Sequence, residues 1–123
     1  MNIEKLRFYD VLPEIDSSGK FFGVVKNGIC SVTDLFVELD CVLAFPWYFG
    51  RSWNAVWDCL RDFHWRQESE IVLVHQDVPE LARDDLATYV EILIDAVPDW
   101  EQDRTCALSV FFPSSAKAAL LEL

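Results

Sequence analysis

Three short apolar runs, spaced by helix-length stretches, confine this chain to a small set of folds. FFGVV within Lys20–Lys26, EIVLVH at Glu70–His75 and CALSVFF at Cys106–Phe112 are aliphatic or aromatic and too short for helices. Asn27-Gly28 punctuates the first run and Pro113 the third. After Ser31, residues Leu35, Leu39 and Val42 recur at helical spacing, with Ser31 or Thr33 as cap and Asp34 at the positive end of the dipole. Between the second and third runs, Leu86, Tyr89, Val90, Leu93 and Val97 share one side of a helix. That helix begins at Asp84-Asp85 and is expected to stop at Pro98, before a charged loop over 99–104. Val78-Pro79-Glu80 opens a short helix or turn, and Ser114 or Ser115 is placed to cap a last short helix. Strands alternating with helices imply parallel pairing through right-handed crossovers. The second and third runs are apolar on both faces, as a covered sheet requires. The fold class is therefore α/β. Leu6, Phe8 and Val11 either form a short extra strand or pad the domain.

At 123 residues and 52% hydrophobic, the chain can bury one sizeable core, so residues 1–123 read as a single domain. Ten Lys and Arg against 21 Asp and Glu give a net charge of −11. That charge repels nucleic acid and anionic membrane, and favours a basic protein partner. Cys30, Cys41, Cys59 and Cys106 lack paired or zinc-like spacing and read as structural thiols. The N-terminal MNIEKLRF has no apolar core of a signal peptide, and no apolar run reaches membrane-span length. The expectation is a cytoplasmic protein with reduced cysteines.

Chemistry has little to work with. His64 and His75 lie at element ends with no reactive cysteine placed beside them, and His75 suits a packed strand-end position. Asp84-Asp85 suits a helix N-terminus. Asp99, Glu101 and Asp103 alternate in the expected loop but lack the glycine and distal glutamate of a calcium loop. With no glycine-rich phosphate loop either, the expectation is a binding protein, not an enzyme, needing no cofactor and no metal.

The stretch best suited to binding is Phe45–Phe63, FPWYFGRSWNAVWDCLRDF. An aromatic turn leads to Ser52, a good N-cap, and then to an amphipathic helix. Stepping about 100° per residue aligns Trp53, Val56, Trp57, Leu60 and Phe63 on one stripe. Asn54, Asp58, Arg61, Asp62 and Trp65 fall opposite. Asp58 is thus held toward solvent on a rigid support.

This stretch resembles the central motif of the barstar family, inhibitors of the small extracellular ribonuclease barnase. Pro46, Tyr48, Gly50, Ala55, Trp57, Asp58, Cys59 and Leu60 match in register. The likeness extends over about residues 23–112, leaving 1–19 and 113–123 as extra termini. It implies a two-layer fold: a three-stranded parallel sheet, in the order one-two-three, with helices mainly on one face. It also implies roles. Tyr48 matches the tyrosine lying over the nuclease cleft, and Asp58 the carboxylate that fills the phosphate site. Trp57 matches a tryptophan at the edge of the contact, though its stripe suits packing equally. Asn54 stands where the family has a second interface aspartate, and Arg51 and Arg61 add positive charge. These departures point to a nuclease other than barnase. Asp95 aligns with a further acidic contact, the alternative being a solvated helix acid. Trp47 is either a turn plug or a contact. Cys59 and Cys106 coincide with the family's two cysteines. The resemblance implies an immunity protein against a basic, secreted ribonuclease or toxin domain, and a surface that must meet a cleft is most simply carried by a free monomer. The same surface could instead serve another toxin, nuclease or regulatory partner.

Overall fold

A computed structural model describes residues 3–11, 20–45, 50, 52–61, 70–103 and 107–123, with the side chains of 20, 61, 98–103 and 107 left out. A 3-10 turn at Ile3–Lys5 leads into strand β1 (Arg7–Tyr9), followed by β2 (Lys20–Val25). Helices α1 (Val32–Leu43) and α2 (Trp53–Arg61) precede β3 (Glu70–His75). Helix α3 (Arg83–Asp103), β4 (Ala107–Pro113), a 3-10 turn at Ser114–Ala116 and α4 (Lys117–Leu121) complete the chain.

The four strands form one parallel sheet in the order β1-β4-β3-β2. The three expected strands keep their expected order, and the class is α/β as read. The count differs: β1 adds a fourth strand, pairing Arg7–Tyr9 with Phe111–Pro113. Only three residues long, β1 is specified by its partner strand more than by its own pattern.

Going from β2 to β3 to β4 steps across the sheet in one direction. Right-handed crossovers then place α1, α2 and α3 on the same face. Gly23 lies under α1 in close approach: a Cβ there would stand 3.0 Å from both the Val42 carbonyl oxygen and the Leu43 side chain. On this face Val25, Ile71, Leu73, Leu108, Val110 and Phe112 are buried. They meet Leu35, Leu39 and Leu43 of α1, Val56 and Leu60 of α2, and Tyr89, Val90 and Leu93 of α3 in one core. Helix α4 joins it through Leu120. The opposite face carries half-buried Phe22, Val24 and Phe111 around buried Val72 and Val74, so both faces of the sheet are apolar.

Local chemistry explains most of the element ends. Ser31 caps α1, its hydroxyl accepting from the Asp34 amide at 3.0 Å. Gly28 takes the positive φ of 82° that the turn after β2 demands. Two expectations fail. Helix α3 runs through Pro98 to Asp103, so the charged loop expected over 99–104 begins no earlier than 104. Proline removes one ladder hydrogen bond, to the Ile94 carbonyl. The preceding turns are anchored in the core by Leu86 to Val97, and tertiary packing outweighs local propensity. Neither Ser114 nor Ser115 caps the terminal helix: α4 begins from the 3-10 turn with no side-chain cap. Residues 78–82 form no helix.

Candidate functional site: the outward face of the second helix

Helix α2 is fixed at its start. The Ser52 hydroxyl accepts from the Ala55 amide at 3.1 Å, and the Ser52 carbonyl from the Val56 amide at 2.9 Å. Val56 and Leu60 are fully buried and Cys59 nearly so. Trp53, which the periodicity aligns with Val56 and Leu60, is only half-buried. Its ring lies edge-on to Phe36 of α1, with centroids 5.0 Å apart, and 6.2 Å from Tyr89 of α3. A large indole at the first turn of a helix bridges its two neighbours and keeps one edge in water.

Opposite this anchor, Asn54, Trp57 and Asp58 are solvent-exposed. The i, i+3, i+4 spacing sets an amide, an indole and a carboxylate side by side on one helical face. Trp57, which the sequence left between contact and packing, keeps 36% of its surface accessible. Asp95 is exposed on α3, on one stripe with exposed Glu91 and Asp84. Tyr48, Trp47, Asp62 and Phe63 lie outside the described residues. The outward side chains described on α1, α2 and α3 include Asp34, Asp58, Asp84, Glu91 and Asp95, against Arg83 alone among cations. Among the described side chains the helical layer is therefore mainly acidic on its outer side.

His75 is the packed strand-end residue expected from its position. It is fully buried, its imidazole stacked on Phe112 with centroids 3.9 Å apart. The cysteines divide. Cys59 packs in the core as a small hydrophobe, while Cys30 and Cys41 are exposed free thiols and not the structural residues expected. Cys41 lies on the exposed side of α1, and Cys30 directly precedes its cap, Ser31. Cys106 lies outside the description.

Fold and face together define a class: a small parallel-sheet domain with one helical layer, presenting a carboxylate and an aromatic ring on a rigid helix. A family model described as Barstar (barnase inhibitor) matches residues 20–112, and the chain belongs to that family. A search of curated proteins returned no match. The matched span runs from the start of β2 to Phe112 and contains α2 whole, while β1 and α4 lie outside it. Barstar-family proteins are inhibitors that bind a ribonuclease, not enzymes. No helix among the described residues is long and apolar enough to cross a membrane.

Proposed function

We propose that this chain is an intracellular immunity protein that inhibits a ribonuclease toxin, α2 entering the basic active site and Asp58 taking the place of the substrate phosphate. The observation that carries this reading is the exposed Asn54, Trp57 and Asp58 set on a helix whose other side is locked by Val56, Cys59 and Leu60. A nuclease cleft is lined with cations arranged to hold phosphate. A carboxylate placed there accepts several charge-assisted hydrogen bonds at once. The helix is folded before it docks, so little conformational entropy is lost on binding. The negative field of α1 and α3 speeds encounter with a basic, secreted partner and makes that rate salt-dependent. Trp57 supplies apolar area at the rim, and Tyr48 and Asp95 complete the contact in this reading. The free protein is a monomer in the cytoplasm, its thiols reduced.

The test is inhibition of RNA cleavage by a barnase-type ribonuclease, titrated with this protein and with Asp58→Ala. The expected result is stoichiometric inhibition by the parent and its loss in the variant, with the two melting alike. A second reading keeps the face and changes the partner to another toxin, nuclease or regulatory protein. It is favoured by the exposed, uncharged Asn54 beside Asp58. Binding of a basic partner through Asp58 without any inhibition of RNA cleavage would select it.

A further inference from the structure

The core holds a titratable imidazole that the proposed function does not use. His75 ends β3, and its imidazole is completely enclosed. Nδ1 lies 3.0 Å from the Phe111 carbonyl, which can only accept, so Nδ1 carries the proton. Nε2 is then bare and accepts from the Tyr89 hydroxyl of α3 at 2.6 Å. The backbone carbonyl of the same residue receives the Tyr9 hydroxyl of β1. One residue thus joins β3 to β4, α3 and β1.

We propose that His75 is an acid-sensitive latch: its neutral, Nδ1-protonated imidazole holds α3 onto the sheet, and protonation releases it. Charging the ring turns Nε2 into a donor facing the Tyr89 hydroxyl. Tyr89 must then rotate to accept, which leaves its own proton seeking a partner in a sealed core. The titratable groups facing the latch are few. Helix α3 contributes Tyr89, whose phenol burial pushes up. Strand β1 contributes Tyr9, raised first by burial and then by Asp77 beside it. Strand β4 offers a carbonyl and the Phe112 ring, and β2 offers apolar Val25 in register. Burial pushes the His75 imidazole down from 6.5 to about 4, opposed by its bond to the Phe111 carbonyl. The unfolded chain therefore takes the proton first. The latch is intact above pH about 6.5 and weakens as pH falls toward 4. This device is independent of the partner's identity.

Two measurements test it. In the imidazole 15N spectrum of the parent, His75 should stay in the neutral Nδ1-protonated form down to pH about 5; a ring titrating near 6.5 in the folded protein overturns the latch. In amide exchange corrected for intrinsic rates, protection of α3 around Tyr89 should fall on the order of thirtyfold between pH 6.5 and 4.5. In His75→Gln the fall should be several times smaller, because the group that takes up the proton is gone. Equal falls in the two proteins overturn the proposal. Should His75→Gln not fold, the spectrum of the parent decides alone.

Discussion

Helices α1 and α2 begin alike and end differently. Each starts from a serine whose hydroxyl accepts the amide three residues on, Ser31 from Asp34 and Ser52 from Ala55. Each buries an aliphatic stripe, Leu35, Leu39 and Leu43 in α1 and Val56 and Leu60 in α2. Their outward faces share almost nothing. Helix α1 shows Thr33, Asp34, Val37 and Cys41, whereas α2 shows Asn54, Trp57 and Asp58. Inward residues are chosen by the core, and both helices answer it with the same chemistry. Outward residues are free of that demand, so an indole beside a carboxylate on α2 calls for a reason that Thr33 and Cys41 do not.

The largest expected effects fall on what the helices share. Leu39→Ala and Leu60→Ala each empty a fully buried site and should destabilise by about 2–5 kcal/mol in denaturant melts. An unchanged midpoint for either would detach that helix from the common core.

Comparable in size but confined to α2 is the binding loss. Asp58→Ala should cost about 2–5 kcal/mol of affinity, mostly as faster dissociation, a range carried over from charge pairs that include barnase with barstar itself. Its melt should change little, since Asp58 is exposed on a helix. Cys41→Ser on the outer face of α1 should bind like the parent. Surface-based kinetics on both variants with the inhibited nuclease checks this, and an equal loss in Cys41→Ser would erase the distinction between the two faces.

A smaller effect belongs to the end of α1. Ala44 caps that helix with φ at 52°, a left-handed conformation that a Cβ disfavours and glycine adopts freely. Ala44→Gly should raise stability by up to about 1 kcal/mol, offset in part by a more flexible unfolded chain. Thermal melts would register it, and destabilisation would mean that the methyl group makes contacts worth more than the strain.

The mildest test perturbs nothing. Native protein exposed briefly to an alkylating reagent should be modified at Cys30 and Cys41, with Cys59 protected until unfolding. The unfolded chain should yield four free thiols. Rapid labelling of Cys59 in the native state would contradict the anchoring of α2, and a total of two would mean a disulfide.

The amino-acid sequence by itself determined what depends on neighbours along the chain. EIVLVH ends where β3 ends, because a short aliphatic run bounded by polar residues has few alternatives. The caps at Ser31 and Ser52 follow from hydroxyls placed three residues before free amides. The periodicity of α2 put Val56 and Leu60 inward and Asn54 and Asp58 outward, so the core of the candidate site was legible before any coordinates. Tertiary structure decided what depends on partners far away. Arg7–Tyr9 became a strand because Phe111–Pro113 offered an open edge. The pattern at Leu6, Phe8 and Val11 left a short strand and mere padding both open, and three residues carry too little pattern to choose. Helix α3 passed Pro98 because its earlier turns are packed, which local propensity does not register. Trp53 stayed half in water because two helices, not one, meet its ring. His75 read only as a strand-end residue, and its place between Phe111, Tyr89 and Tyr9 arose from residues 36, 14 and 66 positions away. Periodicity sorts side chains into inside and outside, but only the assembled core decides which buried groups meet.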